Sequence, residues 1–198
     1  MTRVVAGTVG GRVLEVPRAG TRPTSERVRE ALFSRLEHLD VVHDARVLDL
    51  FAGSGALGIE AASRGAATVT LVEHAAAAAQ VCRRNVATLG LGDVVVVAGE
   101  RAERFVARPA AAPWDLVLVD PPYDLAPTLL AQVLAGVAGA LADGAVLAVE
   151  QSARTPEPAW PDGVRRFDRR AYGDTVVWFA EPATPDAEPE PDHASQPR

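Results

Sequence analysis

The chain has 198 residues, enough for one domain with a short appendage, and its 48% apolar content can build a real core. No run reaches the roughly 18 apolar residues of a membrane span, the first residues lack a signal peptide's apolar stretch, and a lone Cys82 excludes an internal disulfide or a cysteine-built zinc site. A soluble, cytoplasmic protein is expected. The net charge of −6 hides a split. Residues 1–36 carry seven arginines against Glu15, Glu26 and Glu30, whereas residues 181–198 carry five acids against Arg198 alone. An arginine-rich flank suits a nucleic-acid partner, and solvated helix arginines are the plain alternative.

In chain order, residues 3–16 hold two short alternating runs joined through Gly10-Gly11, a hairpin pattern. A helix follows, capped by Thr24 or Ser25 with Glu26 in its first turn. Val28, Ala31, Leu32, Arg35 and Leu36 fall on one helical face. Arg27, Arg29 and Glu30 are thereby expected to face elsewhere. From residue 45 strands and helices alternate: strands at 46–50, 68–72, 94–97, 116–119 and 145–149, and helices ending near 64, at 75–89, near 102–107 and at 125–141. Continuous apolar strands of this kind are buried on both faces, in a parallel sheet between helix layers. Segments 164–169 and 175–179 flank Tyr172-Gly173 as a closing hairpin, and the Pro- and acid-rich residues 181–198 are expected to be disordered. The expected organisation is an extension over residues 1–40, a main domain over 41–180 and the tail.

The first long strand runs into Asp49-Leu50-Phe51-Ala52-Gly53-Ser54-Gly55-Ala56-Leu57-Gly58. Its G-x-G-x-x-G spacing opens a helix, where glycines let a ligand approach the backbone. Asp49 would face a pyrophosphate badly but an amino acid's ammonium well, which favours S-adenosylmethionine over a nicotinamide dinucleotide. Phe51, Ala52, Gly53 and Gly55 would line the donor. Glu73, ending the second strand, can accept from ribose hydroxyls with either cofactor. Glu100, past the third strand, can meet an adenine amine or simply open a helix in solvent.

Asp120-Pro121-Pro122-Tyr123 follows the fourth strand. Asp120 and the Pro121 carbonyl can accept both protons of an exocyclic amine, and Tyr123 can stack on the ring that bears it. An acidic turn is the ordinary alternative. In a doubly wound sheet of order 3-2-1-4-5, strands one and four are neighbours at the switch point. Asp49 and Asp120 then flank one crevice, with donor and acceptor between them. The four histidines have no ligand spacing, so no metal site is expected. Cys82 and Trp114 read as packing residues.

With these motifs in view, the chain resembles the bacterial 16S ribosomal RNA guanine-N2 methyltransferases of the RsmD type. The resemblance runs from Arg3 to Phe179. It is carried by Arg3-Val-Val-Ala-Gly7, Gly11-Arg12-Val-Leu-Glu-Val-Pro17, Arg22-Pro-Thr24, Arg27-Val-Arg-Glu-Ala-Leu-Phe33, the glycine loop through Glu60-Ala61, and Asp120-Pro-Pro-Tyr123. It implies an α/β, Rossmann-like class I fold: a seven-stranded, mostly parallel sheet with helices on both faces, preceded by a small hairpin and helix. It also implies methylation of one loop guanine in small-subunit RNA, as 16S rRNA or an assembling small subunit; a monomer is the default expectation for a small enzyme that must embrace a large substrate. Arg12, Arg22, Arg27 and Arg29 would hold phosphates, and Thr24 would help close the cofactor site. One departure stands out: where the family often has Asp or Asn followed by Ala, this chain has Glu100-Arg101. Rival readings are an adenine or protein-glutamine amino-methyltransferase, a nicotinamide oxidoreductase, and a catalytically silent RNA-binding assembly factor.

Overall fold

A computed structural model describes residues 2–17 and 25–183. The elements are β1 Thr2–Arg3, β2 Val13–Leu14, α1 Glu26–His38, β3 Arg46–Leu50, α2 Ala56–Ser63, β4 Thr68–Val72, α3 Ala76–Leu89, β5 Val95–Ala98, α4 Ala102–Val106, β6 Trp114–Val119, α5 Pro127–Ala138, β7 Leu141–Ser152, β8 Val164–Tyr172 and β9 Thr175–Pro182. The short β1 and β2 pair antiparallel, with Thr2 opposite Leu14. The other seven strands form one sheet in the order β5-β4-β3-β6-β7-β9-β8, parallel except where β9 joins. The reversal between β4-β3 and β6-β7 is the anticipated switch point.

Strand periodicity divides the core. Val47, Val69, Leu71, Leu116 and Leu118 point toward α2 and α3, while Leu48, Leu50, Val72, Val117 and Val119 point toward α5. Over Val47–Leu50 and Leu116–Val119 only Asp49 is polar, so both strands sit where helices cover both faces. The N-terminal extension shares the first of these layers: Val4, Leu14, Phe33 and Leu36 pack into the same cluster as Val47 and Ile59. Each such side chain contributes about 1.5–3 kcal/mol on burial.

Ser25 caps α1, its hydroxyl accepting from the Val28 amide at 3.2 Å. The helix buries more than its expected face. Val28, Leu32 and Leu36 are buried, and so are Arg29 and Phe33. The expectation that Arg29 faces the RNA is therefore corrected: its side chain is wholly buried, 3.5 Å from the Glu60 carboxylate, and it donates to the Arg3 carbonyl. A guanidinium in that position joins α1 to β1 and α2 and cannot meet a phosphate. Arg12 and Arg27 are exposed. Arg22 and Thr24 lie outside the described residues, as does all of the acidic tail past residue 183.

Two boundaries differ from expectation. β7 extends from Leu141 to Ser152, well beyond the expected 145–149, because its start pairs with Trp114 and its end pairs with β9. α5 stops at Ala138 for the same reason, since residues 141 onward belong to the sheet.

Candidate active site

β3 ends at Leu50 and the chain turns sharply. Phe51 adopts φ 63°, a left-handed conformation that a bulky side chain rarely holds. The turn is pinned by the Ala52 amide donating to the Val72 carbonyl at 3.0 Å. Gly55, at φ 81°, caps α2 in the same region, where an added Cβ would approach Leu71 to 2.9 Å. At Gly58 a Cβ would meet Leu71 at 2.2 Å, so this glycine serves helix-to-sheet packing rather than ligand access.

Asp49 is 1% exposed. One of its oxygens, Oδ2, accepts from the Gly58 amide at 2.8 Å, while Oδ1 has no hydrogen-bond partner among the described residues. Burial pushes its carboxyl up to about 8, opposed by the Gly58 hydrogen bond and reinforced by the charges of Asp120 and Glu73. An unmatched carboxyl oxygen in a dry site is costly, and a hydrogen-bond donor or cation entering the crevice would meet it.

Glu73 is also buried, and both its oxygens hold backbone: Oε2 accepts from Gly53 at 2.9 Å and Oε1 from Ala75 at 2.7 Å. Each oxygen keeps a further lone pair for a ligand hydroxyl. The glycine loop is held from its other side by α3. Cys82 Sγ lies 3.2 Å from the Gly53 carbonyl, and the Asn85 amide donates to the Ser54 carbonyl at 2.9 Å. Glu100 lies two residues past β5 at the same sheet edge, where Arg108 holds it at 2.6 Å.

β6 brings up the other wall. Asp49 is in register with Leu118, so Asp120 stands two residues further along the neighbouring strand with its side chain on the same face. Strand spacings put their Cα atoms about 8 Å apart. The Asp120 amide extends the pairing to the Leu50 carbonyl at 3.5 Å. Asp120 and Pro121 are half-buried, Pro122 is exposed, and the Tyr123 ring is 70% exposed at the rim. The structure thus brings together Asp49, Phe51, Ala52, Gly53, Gly55 and Glu73 on one side and the residues 120–123 on the other.

Ser63 and Asn85 stand outside every quoted motif and Glu60 carries no expected role within its own; all three are buried and hydrogen-bonded to the N-terminal extension. For Glu60 and Ser63, polar residues beside alanines in α2, the available clue is that a buried polar group needs a partner.

The family described as Conserved hypothetical protein 95 matches residues 2–181. The ribosomal RNA small subunit methyltransferase D of Escherichia coli K12 is 43% identical over 162 residues, spanning 80% of this chain and 79% of that protein. Its Haemophilus influenzae counterpart is 39% identical over 124 residues, 61% of this chain and 63% of that one. Among solved structures, the methyltransferase yhhF of Escherichia coli superposes with a TM-score of 0.80 at 36% identity, covering 91% of this chain and 97% of that chain. A hypothetical protein of Thermus thermophilus gives 0.78 at 30%, covering 90% and 98%. The chain belongs to the ribosomal RNA small subunit methyltransferase D family, with the class I methyltransferase fold and two acid-bearing strand tips that this family membership makes those of an enzyme.

Proposed function

We propose that this protein transfers the methyl group of S-adenosylmethionine to the exocyclic N2 amine of one guanine in 16S ribosomal RNA, in the cytoplasm. The observation that carries the reading is the unmatched Asp49 Oδ1, buried beside the glycine loop and one strand away from Asp120. The ammonium of an amino-acid-bearing donor satisfies that oxygen, and Glu73 offers its remaining lone pairs to ribose hydroxyls. Phe51, Ala52, Gly53 and Gly55 frame the donor's passage. Bound there, the donor supplies an electrophilic methyl on a sulfonium, whose positive charge is lost as the methyl leaves.

The chain's own residues position the acceptor. Asp120 and the Pro121 carbonyl would accept hydrogen bonds from the two N2–H groups, orienting the nitrogen lone pair toward the donor side. Pro122 stiffens the turn, and the exposed Tyr123 ring stacks on a base splayed out of an RNA loop. Alignment and fixed charge carry most of the rate. No strong base is needed before transfer, and Asp120 receives the proton afterwards, directly or through water. Arg12 and Arg27 engage phosphates, while Arg22 and Thr24, assigned such roles by the resemblance, lie outside the described residues.

The experiment is to incubate the purified protein with labelled S-adenosylmethionine and small-subunit particles lacking the modification, then digest the RNA to nucleosides. Label in N2-methylguanosine supports the reading. Release factor glutamine methyltransferases of Xylella fastidiosa are 33% identical over 109 residues, only 36% of their length. Label appearing instead in a protein glutamine, or in adenine, would replace the guanine assignment.

A further inference from the structure

Two regions that do different work meet at one side chain. Asn85, 3% exposed on α3, makes three hydrogen bonds. Its Nδ2 donates to the Ser54 carbonyl of the glycine loop at 2.9 Å and to the Glu15 carbonyl of the extension at 3.0 Å, and its Oδ1 accepts from the Glu15 amide at 2.9 Å. Asn85 thus completes the backbone of the extension as a paired strand would, and with its second amide proton it holds the loop beneath the donor.

The rest of the extension is fastened to the helix that the loop opens. Glu60 of α2 accepts from the Val5 amide at 2.7 Å and the Ala6 amide at 3.0 Å, while the Ser63 hydroxyl accepts from the Val9 amide at 3.1 Å. Arg64 holds the Glu60 carboxylate at 2.8 Å, and Arg29 approaches it from α1. The extension therefore sits on α2 and α3, the two helices that flank the glycine loop, and through Asn85 it reaches the loop itself. Exposed Arg12 and Arg84 lie on this same assembly, Arg84 paired with Glu15 at 2.9 Å. Glu15 directly follows β2, so a displacement of β2 would bear on the Ser54 carbonyl through the Asn85 amide.

We infer that Asn85 is a positioning residue coupling the N-terminal extension to the glycine loop, so that RNA on the extension and methyl donor at the loop strengthen each other's binding. This rests on the RNA reading proposed above. Coupling between sites is reciprocal: whatever factor RNA adds to donor affinity, donor adds to RNA affinity. An asparagine that only supported the fold would lower stability, and with it both affinities, yet leave the ratio of each affinity with and without the second ligand untouched.

The test is equilibrium dialysis of labelled S-adenosylhomocysteine against the full chain, with and without unmodified small-subunit particles. In the wild-type protein the particles should tighten binding about fivefold or more. In Asn85→Ala, and in Asn85→Asp, which keeps the acceptor but loses both donated bonds, that factor should fall toward one. A wild-type factor of one, or a factor preserved in both variants, overturns the inference. Should the variants fail to fold, amide hydrogen exchange on the wild-type chain decides. S-adenosylhomocysteine should slow exchange at the Glu15 amide as well as at Gly53. Protection at Gly53 with none at Glu15 overturns the coupling. Particles that neither bind nor accept methyl would defeat the RNA reading instead, and the exchange measurement, which needs no RNA, would still judge Asn85.

Discussion

The two walls of the crevice, the proposed donor side and the proposed acceptor side, are built to opposite specifications. On the donor side Asp49 and Glu73 are 1% and 7% exposed, and backbone amides of Gly53, Gly58 and Ala75 already hold them. On the acceptor side Asp120 is half-buried, Pro122 is open and Tyr123 is 70% exposed. A small donor can be recognised by a pocket set in advance, which avoids ordering costs at each turnover. A base arriving on a large RNA brings its own surroundings, so its wall needs only a short stiff turn and a ring to stack on. On the proposed reading, the comparison teaches that donor specificity would be written in the core, while acceptor specificity would be shared with the RNA.

The sharpest way to break this contrast is Asp120→Ala. Transfer should fall about a thousandfold or more, with S-adenosylhomocysteine affinity within about threefold by calorimetry. Equal loss of both would mean the walls are one unit. Next in size is Arg29→Ala, expected to cost about 3 kcal/mol in denaturant unfolding because it strips the Glu60 carboxylate of a buried cation. Arg27→Ala should leave stability alone and reduce the salt slope of RNA binding by about 0.7–0.9. The reverse pattern would put Arg29 back on the surface.

Asp49 offers a pH test. Its folded carboxyl is raised from 3.8 to about 8, so its contribution to stability is complete below pH 4 and is lost as pH rises toward 8. Ligand-free protein should therefore lose several degrees of Tm over that window, and Asp49→Asn should flatten the curve. Because an ammonium requires the ionised acid, donor binding near pH 7 should release close to one proton, visible as a buffer-dependent binding enthalpy. The smallest effect belongs to Tyr123→Ala: about tenfold lower kcat/KM through lost stacking, with Tm unchanged for so exposed a ring.

Much of the frame is legible from residues alone. The strands of residues 46–50 and 68–72 appear at their expected limits, as does the strand order that makes β3 and β6 neighbours. Their signal is local: unbroken Val and Leu between glycine turns. Arg29 defeats such reading because helical periodicity assigns faces, and α1 is covered on a wider arc than its apolar stripe indicates. What lies on that extra arc is Glu60, far along the chain. Asn85 escapes for the same reason: its partners, Glu15 and Ser54, are distant in sequence, and pairing over such distances leaves no periodic trace.

The seating of the extension has a consequence for biosynthesis. Its anchors come 54 to 70 positions later, at Glu60, Ser63 and Asn85. During synthesis this stretch therefore lacks its full set of anchors until α3 has emerged. The extension thus settles only after residues well downstream of it are in place.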